Sequence, residues 1–187
     1  ITGNRLSNGT VLCKFKYFEI KENQTTTVSL EFNENNSPSQ ISGMINTETA
    51  IPNLNGENSG TIGELVKEKS VVVAIVEPNK EPTKHLMVDM AAVKSDFDKW
   101  GGNVVFVVGK DKMTEDFNPN SFSNLPNSSK YGYDKEQTLA KAIAEGCNKA
   151  LSTNYPIVTV INPKGEVIFY SEGYSIGLGE QVLKALK

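Results

Sequence analysis

The sequence is poor in the side chains that most often carry redox or metal chemistry, with two cysteines, one histidine and one tryptophan among 187 residues. Cys13 and Cys147 are far apart and lie in no thiol motif. Cys13 falls on the apolar side of an alternating strand pattern, and Cys147 follows Ile143 on a helical apolar stripe. Because unpaired cysteine is among the most often buried residue types, we predict two core thiols with no disulfide between them.

The single histidine gives little basis for a metal site. Glu81, His85 and Asp89 recur every four residues and would share one helix face. A zinc site would be expected to add a second histidine or a cysteine, and the sequence has neither at that face. Acidic groups are favoured at a helix start by the helix dipole alone. We therefore predict a solvated helix start, with no metal and no cofactor.

The chain also lacks a basic excess and a long apolar run. Its 19 Lys and Arg are scattered among 22 Asp and Glu, for a net charge of −3, whereas nucleic-acid binding requires a clustered basic surface. No stretch approaches the roughly 20 apolar residues of a membrane span. We therefore predict no nucleic-acid partner and no membrane span in this chain, although the apolar strands are sufficient for a buried core.

The chain begins at Ile1, and we interpret it as a mature or truncated part of a longer protein. Glycosylation acceptor patterns of the form Asn-x-Ser/Thr occur at Asn8, Asn23, Asn35 and Asn127. Such patterns arise easily by chance in an Asn-rich sequence, so they favour an extracytoplasmic location only weakly.

Hydrophobic patterns divide the chain into three parts. Residues 1–48 are β-rich, with strands predicted near 9–18, 25–32 and 39–45, and we interpret them as the end of a β-sandwich. Residues 49–69 contain Pro52 and several glycines and are predicted to be a connecting segment with a short helical turn at 61–66. Residues 70–187 alternate strand and helix.

The third part begins with the apolar run 71–76, which is typical of a strand covered on both faces. One long amphipathic helix is predicted to follow and to end at Gly101-Gly102, before a second buried strand at 104–108. Residues 110–130 are predicted to be a short helix and a loop. Asp134 is predicted to cap a helix that extends to Ala150.

The last part of the pattern is a hairpin and a helix. A strand at 155–161 is joined to a strand at 166–170 by the turn Asn162-Pro163-Lys164-Gly165, and a final helix follows Gly177-Leu178-Gly179. This β-α-β, α, β-β-α order, together with the sequence segments at 155–168 and 172–174, resembles that of thioredoxin-like and peroxiredoxin-like proteins. The resemblance implies an α/β fold with a central mixed sheet and flanking helices, preceded here by a small β-rich segment. It also implies a cis Tyr155–Pro156 bond.

Thioredoxin-like proteins carry Cys-x-x-Cys at the turn after the first strand, where this chain has Lys80, Glu81, Pro82 and Thr83. Thiol–disulfide exchange needs an attacking thiolate, so these residues cannot perform it, and no catalytic residue is predicted. A helix N-terminus beside a cis-proline strand is still suited to an extended peptide or an anion. The candidate binding site comprises Lys80, Glu81, Pro82, Thr83, His85, Tyr155 and Pro156.

The whole chain is also similar to the C-terminal portion of large secreted transglutaminase-like proteins of gut Bacteroidetes. The similarity is carried by TGNRLSNGTVL at 2–12, EPNKEPTKH at 77–85 and GYSIGLGEQ at 173–181. In those proteins a papain-like catalytic domain precedes β modules and a thioredoxin-like tail. The resemblance therefore implies that the catalytic Cys-His-Asp set lies upstream of this chain.

These features favour a non-catalytic accessory or protein/peptide-interaction module of a larger extracytoplasmic protein. Two alternatives stay open: a degenerate thiol-disulfide oxidoreductase that uses Cys147 or a partner's thiol, and a structural spacer. Tyrosines are frequent in the second half of the chain, and they either form a binding surface or pack in the core. These are Tyr131, Tyr133, Tyr155, Tyr170 and Tyr174.

Overall fold

The computed structural model describes residues 2–5, 11–14, 22, 25, 43–52, 54, 59–109 and 124–187, with backbone alone for 2–5, 11–14 and 59. The chain divides into two compact units, Ile1–Ser37 and Pro38–Lys187. In the first unit, strand β1 (Thr2–Arg5) pairs antiparallel with β2 (Val11–Lys14). β2 falls within the strand predicted at 9–18. Residues 26–32 of the strand predicted at 25–32, and the Cys13 side chain, lie outside the described residues.

The described part of the second unit contains eight strands and five helices. In chain order they are β3 (Gly43–Met44), β4 (Ala50–Pro52), β5 (Ser59–Thr61), α1 (Ile62–Val66), β6 (Val71–Val76), α2 (Glu81–Ala92), α3 (Lys94–Trp100), β7 (Val104–Gly109), β8 (Ser129–Asp134), α4 (Thr138–Gly146), β9 (Ile157–Ile161), β10 (Glu166–Glu172) and α5 (Leu178–Ala185).

Six of these strands form one mixed sheet in the order β3-β10-β9-β6-β7-β8. The central strand β6 runs parallel to β7 and antiparallel to β9, and β8 adds to β7 in parallel. Alternate residues of β6 point to opposite faces, so Val71, Val73 and Ile75 enter one hydrophobic cluster while the residues between them enter the other. The continuous apolar run is therefore explained by a strand covered on both sides.

Helices cover the two faces of the sheet. Buried side chains of α2, α3 and α5 join the cluster around Ala74, and those of α1 and α4 join the cluster around Ile75. Helix α1 begins with a capping box, in which Glu64 N–H donates to Thr61 Oγ1 at 3.2 Å and Thr61 N–H donates to Glu64 Oε2 at 2.9 Å. This cap agrees with the helical turn predicted at 61–66.

The unit boundary at Ser37 differs from the division proposed from the sequence. β3 pairs with β10 at the edge of the main sheet, and β4 pairs antiparallel with β5 within the predicted connecting segment. Ile45, Ile51 and Ile62 are buried in the cluster shared with β6. The Pro and Gly content of residues 49–69 indicated a connection, but isolated isoleucines give too short an apolar pattern to reveal its core contacts.

Two helices differ from their predicted bounds. The long helix predicted after β6 is interrupted at Val93, whose φ of −109° and ψ of 18° separate α2 from α3. The three- and four-residue spacing of the apolar residues gave no sign of this break. Leu86 before it and Phe97 after it are buried in the same hydrophobic cluster. Helix α4 begins at Thr138 and ends at Gly146 rather than Ala150, which leaves Leu151 exposed.

Strand β8 replaces the end of the polar loop that the sequence predicted. Its sequence SKYGYD has no apolar alternation; the strand pairs in parallel with β7 and is only partly buried. Gly132 fits closely at its centre, since a Cβ there would lie 3.0 Å from Ile51 Cγ2 and 3.1 Å from Pro52 O and would require these neighbours to shift. The short helix predicted at the start of 110–130 lies outside the described residues.

Asp134, at the end of β8, anchors α4. Its carboxylate is fully buried and accepts hydrogen bonds from Thr138 N–H, Thr138 Oγ1–H and Ala140 N–H at 2.8 to 3.0 Å. The predicted capping role is thus present, although the backbone N-cap position is held by Gln137. A buried carboxylate needs such donors, because an unpaired buried charge is strongly destabilising.

Replacement of Asp134 by alanine is expected to lower the free energy of unfolding by about 3 kcal/mol, since three donors at the start of α4 lose a charged acceptor. Urea unfolding followed by circular dichroism measures the change. Glu136→Ala, at an exposed position in the same connection, is the control and should leave the midpoint nearly unchanged. An equal loss in both variants would contradict the anchoring role.

Candidate functional site

The turn after β6 and the loop before β9 meet where these two central strands end, and this end of the strands is the edge of the sheet that forms the candidate site. Ile75 lies opposite Ile157 in the antiparallel pair, so the next residues along the register, Val76 and Pro156, are neighbours. Asn79 turns the chain with a φ of 62°, and Lys80 then occupies the N-cap of α2 with extended backbone. The two halves of the predicted site are therefore brought to the same edge by strand register.

The loop before β9 carries the cis Tyr155–Pro156 peptide bond that the resemblance implied. Both residues are buried. Gly173 directly follows β10, and its N–H donates to Asn154 O and Pro156 O at 2.9 Å each. Tyr155 Oη accepts a hydrogen bond from Gln137 Nε2 at 3.0 Å. Burial raises the pKa of the Tyr155 hydroxyl above its ordinary value.

The first turn of α2 has a polar, exposed side. Lys80, Glu81, Lys84 and His85 are exposed, while Pro82 is half-buried. Lys84 Nζ donates to Glu81 Oε1 at 2.7 Å, and this hydrogen bond lowers the pKa of the Glu81 carboxyl. An exposed pair of this kind contributes little to stability. Both side chains remain at the surface, where their charges can contact a ligand. Pro82 is tolerated here because the first helical turn has no intrahelical use for its missing N–H.

Thr83 has the opposite environment. It is 1% exposed and shares the buried side of α2 with Leu86, Met87 and Met90. Its Oγ1 has no hydrogen-bond partner among the described residues. The position that carries the second cysteine in the resemblance is therefore occupied by a small side chain turned towards the core.

Two side-chain contacts join α2 to Tyr174 and to the first residue of α5. The His85 and Tyr174 rings stack with centroids 5.3 Å apart and planes 25° apart. One turn further on, Asp89 Oδ2 accepts a hydrogen bond from Leu178 N–H at 3.0 Å. Asp89 is thus used as the cap of α5, and Glu81 is paired with Lys84. No group of three metal-ligating side chains occurs among the residues that the structure describes.

Cys147 does not contribute a thiol to this edge. It is 6% exposed, unpaired, and belongs to the cluster of Val73 and Ile75, on the face of the sheet opposite α2. Burial raises the pKa of its thiol, and the nearby Lys149 opposes this only in part. A protonated, buried thiol is a poor nucleophile. The core position predicted for Cys147 is therefore confirmed.

The predicted tyrosine group divides by environment. Tyr170 is buried, donates from Oη to Glu172 Oε1 at 2.7 Å and lies under Lys149 Nζ, 4.9 Å from its ring centroid. Burial and Glu172 raise the pKa of the Tyr170 hydroxyl. Tyr131 stacks on Phe106 with centroids 6.0 Å apart. These side chains pack within the fold, and Tyr174 is the member placed against α2 near the candidate site.

Sequence reasoning did not include Gln137, Asp89 or Tyr174 in the candidate site. The segment Glu172-Gly173-Tyr174 indicated a turn, but it did not indicate which helix the tyrosine would contact. Gln137 lies 18 positions before Tyr155, and its contact depends on β8, which the sequence did not predict. Long-range contacts of this kind leave no periodic signal in a single sequence.

Neither a known protein family nor a curated protein matches the sequence. Solved structures do match the fold. A Chlorobium tepidum protein described as a thiol:disulfide interchange protein DsbE shares 18% identity at a TM-score of 0.57, with 80% of this chain and 100% of that chain covered. A thiol:disulfide interchange protein from Bacteroides sp. gives 16% and 0.55, covering 78% and 89%.

The same fold is found in peroxiredoxin Q from Xanthomonas campestris, at 18% identity and a TM-score of 0.54, with 75% of this chain and 91% of that chain covered. Together with the mixed sheet and its flanking helices, these matches confirm the predicted fold class, which is thioredoxin-like. At such identities they establish architecture alone. In addition, none of the helices in the described ranges is long and apolar enough to cross a membrane.

Substitution of Thr83 by valine is expected to raise the free energy of unfolding by about 1 kcal/mol, because it removes a buried hydroxyl without a partner in the described part of the chain while keeping the branched shape. Chemical denaturation measures the change. Thr138→Val makes the same change at an exposed position whose hydroxyl donates to Asp134, and it should lower stability. Destabilisation by Thr83→Val would mean that the hydroxyl is hydrogen-bonded.

Proposed function

We propose that this chain is a non-catalytic, thioredoxin-like module that binds a protein or an extended peptide at the edge formed by residues 77–85 and Tyr155-Pro156. One observation carries the proposal. Positions 80 and 83, where the resemblance expects the two reactive cysteines, hold Lys and Thr within a turn that keeps the corresponding layout. This turn lacks the sulfur atoms that exchange requires, which supports recognition over catalysis.

The layout pairs one exposed position with one buried position. Lys80 is exposed at the N-cap of α2, and Thr83 is buried three residues later. In a redox site of this architecture the exposed position attacks and the buried one resolves the mixed disulfide. An ammonium group and a hydroxyl cannot form a disulfide, so chemistry of this type would have to come from elsewhere. Cys147 is unsuited to it, since it is buried on the other face of the sheet.

A peptide is the ligand class that best fits the remaining groups. Lys80, Glu81 and Lys84 offer charges of both signs, while Pro82 and the nearby Pro78 offer half-buried apolar surface. The first backbone N–H groups of a helix have no intrahelical acceptor and favour a carbonyl or carboxylate oxygen. Pro82 contributes no N–H, so a bare anion would find fewer donors here than at an ordinary helix start. Extended chains provide both apolar side chains and carbonyl groups.

The wider setting that we propose is an accessory region of a larger extracytoplasmic, transglutaminase-like protein. Its support is the similarity of the segments at 2–12, 77–85 and 173–181, together with the weak indication from the glycosylation patterns. The module would then position a partner or substrate for a catalytic domain located upstream. A structural spacer and a thiol oxidoreductase with a degenerate site are the competing functions.

Insulin reduction by dithiothreitol tests the oxidoreductase alternative. The wild-type chain is expected to give the same rate as dithiothreitol alone, whereas Lys80→Cys combined with Thr83→Cys should accelerate it, because the thiols would occupy the exposed and buried positions described above. Lys80→Ser with Thr83→Ser is the sulfur-free control. Turnover by the wild type that disappears in Cys147→Ser would overturn the non-catalytic assignment. Inactivity of the dicysteine variant would contradict the retained layout.

Binding to an array of extended peptides tests recognition against the spacer function. Lys80→Glu and Pro156→Ala are expected to weaken the selected interactions by about fivefold or more, since one reverses a charge at the site and the other alters the adjoining loop. Lys164→Glu makes the same charge change in the exposed turn between β9 and β10 and should have no effect. Absence of binding, or indifference to both site variants, would favour a spacer.

A further inference from the structure

Gln137 is an unexpected residue at the start of α4. It holds the N-cap position with left-handed backbone, at a φ of 57° and a ψ of 30°. Among residues with a side chain, asparagine and aspartate adopt this conformation most readily, and asparagine, aspartate, serine and threonine are the favoured N-caps. Glutamine is well suited to neither demand. The needs of the helix start therefore do not account for this residue.

The cap of α4 is supplied by another residue. The Asp134 carboxylate accepts hydrogen bonds from the backbone of Thr138 and Ala140, and the side chain at the N-cap position makes no cap hydrogen bond. The Gln137 backbone is held at the helix start, since its N–H donates to Asp134 O at 3.1 Å and its carbonyl accepts from Lys141 N–H at 2.9 Å. The backbone of Gln137 is thus fixed to the end of β8, and its side chain is used in a contact outside the helix.

That contact is with Tyr155, the residue before the cis peptide bond. Gln137 Nε2 donates to Tyr155 Oη at 3.0 Å, at the end of a side chain that is 6% exposed. The hydroxyl lies beside the end of β7, because a Cβ added to Gly109 would be 3.9 Å from it. In the sheet, β6 separates β9 from β7. The Tyr155 ring therefore reaches from the cis-proline loop across the end of β6 to the start of α4.

Packing and hydrogen bonding act on this ring in different ways. Tyr155 belongs to the hydrophobic cluster of Ile75, and apolar contacts of this kind are non-directional. The hydrogen bond from Gln137 is directional, so it fixes where the hydroxyl lies relative to the ends of β7 and β8. The other end of the ring is attached to the loop whose Pro156 carbonyl accepts from Gly173 N–H. The loop is thereby joined to β8 as well as to the residue after β10.

We propose that Gln137 is a positioning residue for the candidate site: acting through the Tyr155 hydroxyl, it sets the placement of the cis-proline loop. Asparagine would suit the backbone of Gln137 better, but its side chain is one methylene shorter and would not reach Tyr155. The residue present is thus explained by its reach to the loop and not by the helix that it begins. That the loop receives an extended peptide rests on the proposed function, whereas its placement belongs to the ligand-free chain.

Gln137→Asn separates the two demands on this position, and urea unfolding and NMR on the 187-residue chain read the result. The urea midpoint is expected to stay the same or to rise, because asparagine is the better N-cap and adopts left-handed backbone more readily. Hydrogen exchange at the Gly173 amide, which bonds to the loop, should nevertheless increase about threefold or more, with no increase in β6. The ring-carbon signal of Tyr155, assigned by its loss in Tyr155→Phe, should move.

A double-mutant cycle shows whether Gln137 acts through the hydroxyl. Tyr155→Phe should raise Gly173 exchange to a similar extent, and adding Gln137→Asn to it should have little further effect. Glu136→Asn introduces the same side chain at the exposed neighbouring position, and as the control it should change neither measurement. Unchanged Gly173 exchange in Gln137→Asn, a lower urea midpoint with equal increases at Gly173 and in β6, or additive effects in the cycle would overturn the proposal.

Peptide binding gives a separate measurement. For peptides that the array selects, Gln137→Asn is expected to weaken binding about fivefold, because the loop is less well placed. Undiminished binding alongside increased Gly173 exchange would show that the placement does not serve the site. If no peptide binds the wild-type chain, the proposed function fails, while the exchange and ring-carbon measurements still decide whether Gln137 places the loop. The two failures are therefore distinguishable.

Discussion

The pairing of β6 with β9 is the constraint on which the rest of the second unit depends. It places Ile75 opposite Ile157, and this register sets the cis-proline loop beside the turn that leads into α2. A shift of one residue would exchange the faces to which every side chain of β9 points. Because both faces of these strands are buried, such a shift would disrupt core packing and lower stability. Packing of the core therefore fixes the geometry of the candidate site.

Much of this arrangement could be predicted from the sequence. The apolar runs of β6, β7 and β9 identified the central strands, and the order of elements identified the fold class. β8 was missed, because a half-buried edge strand with the sequence SKYGYD carries no apolar alternation. The break at Val93 was missed for a different reason, since the residues on both sides of it keep one buried side. Periodicity reports which face is buried, and it does not report continuity of the backbone.

The candidate site was predictable to a similar depth. Resemblance located the turn at Lys80–Thr83 and the bond before Pro156, and the structure brings them to one edge. It could not identify the contacts that surround them, such as Gln137 with Tyr155 or Asp89 with Leu178, which are separated by 18 and 89 positions in the chain. Those contacts depend on side-chain placement in three dimensions, for which one sequence offers no repeating pattern.

The environment of Thr83 has a consequence for recognising other members of this architecture. The side chain has almost no contact with solvent, and none of the residues that the structure describes bonds to its hydroxyl, so what the position requires is mainly a small volume. Drift to alanine, serine or valine would leave the outer surface of the turn as it is. The amino-acid sequence of the turn is therefore a poor guide to related proteins. Pro156 and Gly173, which are joined by a backbone hydrogen bond, form a pair better suited to recognising them.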